Sequence, residues 1–135
     1  MNGNLTCYAC LMNFTAKSKW LLCCGLLGAS SVALGAIASH ALPDARAASA
    51  VSLAAMYQLL HTVAILALLS FAAKWAAFAR LVMLIGIIGF SGAIYAKYLF
   101  GLAAIGALAP LGGSLLILSW LIVAAGAFMS AAPRQ

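Results

Sequence analysis

Residues 53–73 read LAAMYQLLHTVAILALLSFAA, an unbroken run without a single charge. At about 1.5 Å per residue, a helix of this length crosses the roughly 30 Å hydrocarbon core of a bilayer. Three further stretches have the same character: Trp20 to Ser39, Phe78 to Phe100 and Leu108 to Met129. Turn chemistry separates them. Ala41-Leu42-Pro43-Asp44 ends the first, Lys74 to Ala77 forms a tight link, and Gly101 to Ala109 leads up to Pro110. The runs are too long for barrel strands and show no period-two alternation. Links this short make neighbouring helices antiparallel, so the sequence predicts an all-α integral membrane protein, an up-down four-helix transmembrane bundle. Residues 1–19 read as an N-terminal cytoplasmic extension, 20–130 as the transmembrane domain and 131–135 as a short tail.

Composition excludes the other classes. Of the 135 residues 67% are apolar and 6% charged, with a mean hydropathy of +1.18. Eight charges cannot solvate a soluble globule, and so greasy a chain is neither a disordered tail nor a secreted disulfide scaffold. The net charge is +6 and Asp44 is the sole acid. The basic residues lie scattered between apolar blocks with no basic-aromatic patch, so they set membrane orientation and do not point to nucleic acid. Lys17, Lys19, Lys74, Arg80 and Arg134 fall on one side, Arg46 and Lys97 on the other. That excess puts both termini in the cytoplasm. The first span is too long for a cleaved signal peptide. Cys7-x2-Cys10 is half a zinc knuckle without its second half, and Cys23 and Cys24 read as inert thiols. The two glycosylation patterns at Asn4 and Asn13 lie on the cytoplasmic side and carry no weight.

Helical periodicity then sorts faces. On the third span Ser91, Tyr95 and Tyr98 share one arc, while Gly86, Gly89, Gly92, Ala93 and Ala96 occupy the opposite side. The first span carries a similar small-residue face with Gly25, Ala29, Ala33 and Ser39, and His40 lies on it. In lipid no hydrophobic effect pulls helices together, and small residues let backbones approach. Gly25, Ala29, Ala33, Gly86, Gly89, Gly92 and Ala96 are therefore expected at helix–helix seams. Tyr57, Gln58 and His61 share an arc of the second span and must face the bundle interior or a partner. Placed by the orientation above, His40, Tyr57, Gln58, His61, Ser91, Tyr95, Gly112, Gly113 and Ser114 form a polar cluster near the non-cytoplasmic face. His61 is expected to be internal and uncharged. Its candidate partners are Tyr57 or Gln58 on its own helix and Ser91, Tyr95 or His40 across the bundle.

This cluster can be read in three ways. It is an interhelical hydrogen-bond network, the preferred reading; a small site for an ion, lipid headgroup or quinone-like ring; or metal or haem ligation by His40 and His61. Pro110 suits a first helical turn, and the glycines after it would leave amides free to hold a carbonyl oxygen or anion. No carboxylate lies within a span and no nucleophile has an oriented base, so no catalytic residue, cofactor or metal is expected. The expected company is the lipid bilayer, with a membrane-protein partner or a second copy, and no nucleic acid.

Gly35-Ala36-Ile37-Ala38-Ser39-His40-Ala41-Leu42, Tyr57-Gln58-Leu59-Leu60-His61-Thr62, Phe90-Ser91-Gly92-Ala93-Ile94-Tyr95 and Pro110-Leu111-Gly112-Gly113 stand in the order and spacing of one family. The chain resembles the small bacterial inner-membrane proteins called domain of unknown function 423. The resemblance covers about Trp20 to Met129, with Ile37 and Ser39 departing from the usual first motif, Gly-Ala-Phe-Gly-Ala-His. It implies a four-span protein of the bacterial inner (plasma) membrane, and no established biochemical activity. It carries over no catalytic residues, though the polar positions above belong to the family's signature. The first 17 or so residues lie outside it and look like an extension. Together these readings predict a non-enzymatic structural or accessory membrane component. The alternatives are a small-solute or ion pathway, or a lipid-, quinone- or haem-binding subunit.

Overall fold

The computed structural model describes the backbone of residues 3–131 and the side chains of 16–128 and 130. The described residues form six α-helices: α1 (Gly3–His40), α2 (Ala45–Leu68), α3 (Lys74–Ile87), α4 (Ala93–Leu99), α5 (Ala103–Gly106) and α6 (Ala109–Ala131), with a π-helical turn at Ile88–Gly92 joining α3 to α4. No strand occurs among the described residues. Among the described residues four stretches are long and apolar enough to cross a membrane: Ala16–His40, Ala45–Leu68, Lys74–Leu99 and Ala103–Phe128. The side chains of Cys7 and Cys10 and all of 132–135 lie outside the described residues.

The second span begins at Ala45, well before Leu53, and ends at Leu68, before Ala73. The cause is a cap. The Asp44 carboxylate accepts from Arg46 N at 3.2 Å and Ala47 N at 3.1 Å, satisfying amides that the first turn leaves unpaired. Alanine-rich 45–50 then winds readily as helix. At the other end, Ser70 N and Phe71 N close tight turns on Ala67 and Leu68, so the link is 69–73 and Lys74 is already helical. Past α4, Gly101 takes φ +72°, a region that costs glycine no Cβ clash, and Leu102 N closes back on Ala96 O at 3.0 Å.

Contacts show how the spans pack. Ser31 reaches Ala55 and Gln58 reaches Leu27; Ser91 reaches Ala54 and Arg80 reaches Leu68. In both helix pairs, numbers rise along one element as they fall along the other. One core joins Cys24 of α1, Ile65 and Leu68 of α2, Met83 and Ile87 of α3 and Leu116 of α6. A second joins Ala38, Val51, Ala54 and Tyr95. Large apolar side chains such as Leu22, Val63, Phe78 and Phe128 point outward and are exposed, as expected of surfaces that meet lipid.

The tightest seam runs between α3 and α6. A Cβ at Gly86 would strike Leu116, one at Gly126 would strike the Trp75 indole, and one at Gly112 would overlap the backbone of Gly89 and Phe90. The two helical segments touch main chain to main chain at Gly89–Gly112, which only glycine permits. Gly86 and Gly89 both lie at this seam. Gly92 has nothing within 4 Å of its Cβ position, and Ala96 is half-buried. Gly25, Ala29 and Ala33 are exposed, and no helix among the described residues covers them; α1 meets α2 through Cys24, Leu27, Ser31 and Ala38 instead. Small size permits close approach but does not say which face is covered.

Gly112→Ala is expected to lower stability in detergent by about 1–3 kcal/mol, because backbone must move to admit one methyl group. Gly92→Ala should stay within about 0.5 kcal/mol of the parent. Melting curves of the two purified variants check the contrast, and equal losses would refute the seam.

Candidate functional site

The polar side chains of the spans bond mainly to main-chain carbonyls of neighbouring turns. Ser31 Oγ donates to Ala55 O at 2.7 Å, and Ser91 Oγ donates to Ala54 O at 2.9 Å. Gln58 Nε2 donates to Leu27 O at 2.7 Å and to Ser30 Oγ at 2.8 Å. Thr62 Oγ1 turns back to Gln58 O. Ser31, Gln58, Thr62 and Ser91 are all buried.

His61 is buried on the other flank of α2. Its Nδ1 lies 2.7 Å from Tyr57 O, and its Nε2 lies 3.1 Å from Trp120 Nε1. A carbonyl can only accept and an indole N–H can only donate, so the bonds require the neutral tautomer with its proton on Nδ1. The partner across the bundle is Trp120, in place of the expected Ser91, Tyr95 or His40. Trp120 carried a signal in the sequence: an indole N–H at mid-span needs an acceptor, and His61 is one of few at that depth.

Beside this pair a groove of about 450 Å³ opens between α2 and α6. Leu53, Tyr57 and His61 line one side, Pro110, Ser114, Ile117 and Trp120 the other, and Phe90 of the π-turn lies between them with Gly113. The rings form a continuous wall. Tyr57 stacks on His61 at 6.0 Å and tilts against Phe90 at 5.3 Å, and Trp120 meets the His61 edge at 6.1 Å.

The nine residues expected to converge divide into several places. Tyr57, His61, Gly113 and Ser114 line the groove. Gln58 and Ser91 bind neighbouring helices away from it, and Ser114 Oγ bonds only to Pro110 O on its own helix. Tyr95 is buried toward α1 and α2, with its hydroxyl unpartnered. His40 is exposed at the end of α1, and its ring makes no hydrogen bond to any of them among the described residues. The Gly112 amide is not free to hold a ligand, since it donates to Leu108 O at 3.0 Å. Depth changes as well: because α2 starts at Ala45, Tyr57 and Gln58 lie at its middle, not near one face. No group of three or more His, Cys, Asp or Glu side chains that could hold a metal is assembled among the described residues. Cys24 is buried in the core.

Arg80 does more than contribute charge. Its Nη1 donates to Leu68 O at 2.8 Å, at the end of α2, and its guanidinium lies 5.7 Å from the centre of the Trp20 ring.

His61→Ala removes the acceptor of the Trp120 indole and the ring it packs on. The loss is expected to be about 1–3 kcal/mol. Trp120→Phe keeps a ring and leaves His61 able to bond to Tyr57, so it should cost less, about 0.6–1 kcal/mol. Unfolding in mixed micelles measures both, and a silent His61→Ala would show that the pair bears no load.

No curated protein and no solved structure matches the chain. The family model described as Protein of unknown function (DUF423) matches residues 34–113, more than half of the chain, from the end of α1 through the Gly89–Gly112 contact and the α2 side of the groove, and ends at Gly113, before Trp120. With four helices long and apolar enough to cross a membrane, this small multi-pass membrane protein belongs to the DUF423 family.

Proposed function

We propose that the chain is a non-enzymatic accessory component of a membrane, an up-down four-span bundle with both termini cytoplasmic, in the bacterial inner membrane. The observation that carries this reading is how the polar side chains are used. Ser31, Gln58 and Ser91 each bind a backbone carbonyl of a neighbouring helix, and His61 and Trp120 bind each other across the bundle. Groups so engaged brace helices and are not poised to attack a substrate or relay a proton. Asp44, the only carboxylate side chain, is engaged as a helix cap. The cation distribution supports the orientation: Lys17, Lys19, Lys74 and Arg80 lie where the first span begins and the third begins, opposite Arg46 and Lys97. The chain's company on this reading is the bilayer together with a membrane-protein partner or a second copy.

Two measurements test it. Reporter fusions after Lys74 and at Gln135 should read cytoplasmic, and a fusion near Arg46 external; inverted signals would overturn the orientation. In sealed proteoliposomes the chain should leave ion and small-solute permeability at the level of empty vesicles. A saturable flux would make it a pathway instead.

A further inference from the structure

We propose that the groove between α2 and α6 binds a neutral, lipid-soluble ring bearing a carbonyl, of the quinone class, with its apolar tail running out into lipid. The proposal goes beyond the accessory role and requires only that the chain cross a membrane.

The lining selects the occupant. About 450 Å³ lies within the usual range of small-molecule sites. Four rings, those of Tyr57, His61, Phe90 and Trp120, face it, and flat ligands stack on such walls. Among the described residues no Asp, Glu, Lys or Arg side chain lines the groove, so a charged headgroup would enter uncompensated. A phospholipid headgroup is therefore a poor fit.

Tyr57 decides between a ring and a bare acyl chain. It lies at the middle of a membrane-length helix, is 40% exposed and lines the groove. Its hydroxyl has no hydrogen-bond partner among the described residues. Hydrocarbon offers that hydroxyl nothing, and an unmet O–H there is costly. A carbonyl oxygen meets it; an alkyl tail does not. The imidazole cannot compete for this role, because its two nitrogens are committed to Tyr57 O and Trp120.

Length excludes a spanning partner helix. The lining runs from Leu53 to His61 and from Pro110 to Trp120, about 12 and 15 Å at 1.5 Å per residue. That is about half of the roughly 30 Å core, and the His61–Trp120 bond closes the deep end.

The full chain in phosphatidylcholine nanodiscs is titrated with decyl-substituted dimethoxymethylbenzoquinone while tryptophan fluorescence is followed. Saturable quenching is expected, and its saturable part should vanish in Trp120→Phe. Tyr57→Phe should weaken the Kd about tenfold, as loss of one hydrogen bond would. Gly113→Leu, whose Cβ has ordinary clearance to Phe90, should fill the groove and abolish binding with the melting temperature little changed. Quenching that only rises linearly with added quinone overturns the proposal. So does a wild-type Kd in both Tyr57→Phe and Gly113→Leu, or a bound phospholipid that the quinone does not displace.

Discussion

The main-chain contact between Gly89 and Gly112 is the constraint on which the rest of the architecture depends. Lipid tails are as apolar as leucine, so burying apolar surface does not drive helices together in a bilayer; close van der Waals packing must. Where α3 and α6 touch backbone to backbone, the separation of the two axes is fixed at its minimum. The same contact falls at the π-helical turn Ile88–Gly92, a widened turn of the kind often found at functional sites. It sets Phe90 between α2 and α6 and brings Trp120 within reach of His61. α2 and α6 are thus held as neighbours across a groove without packing along their length.

A second set of forces fixes register. Ala54 O accepts from Ser91 on one side of α2, and Ala55 O, one residue on, accepts from Ser31 on the other. A helix carbonyl has two lone pairs, so these bonds add to the α-helical ladder without breaking it. Each is worth about 0.6 kcal/mol in a membrane protein, too little to hold the fold alone. Their weight lies in direction: sliding α1 or α3 by one residue along α2 would unpair the bonds that helix makes.

The fold was legible because four apolar runs of membrane length leave little choice. The boundaries of α2 were less so. Asp44 read as turn chemistry after Pro43, yet its carboxylate starts the helix at once, which moves Tyr57 and His61 toward mid-membrane. A π-turn at Ile88–Gly92 inserts a residue and rotates the helix beyond it, a feature that a wheel drawn at a constant angle does not contain. Ser91 and Tyr95 face α1 and α2 while Phe90 takes the groove. The His61–Trp120 pair lies 59 residues apart in sequence, and only the seam between α3 and α6 brings it together. The stripe of Gly25, Ala29 and Ala33 was misleading in the opposite sense, since a periodic pattern identifies a face but not its neighbour.

Charge is used sparingly, and α2 receives it at both ends. The sole acidic side chain, Asp44, caps its N-terminus, where the helix dipole is positive. Arg80 binds Leu68 O at its C-terminus, where the dipole is negative. A planar guanidinium suits the second position better than an ammonium would, because it can bond a carbonyl and lie beside the Trp20 face together. α2 is bonded on one side to α1 and on another to α3, and it supplies Tyr57 and His61 to the groove. Fixing its two ends with the chain's only acid and one of its few cations holds that wall in place while the open side of the groove stays free for an occupant.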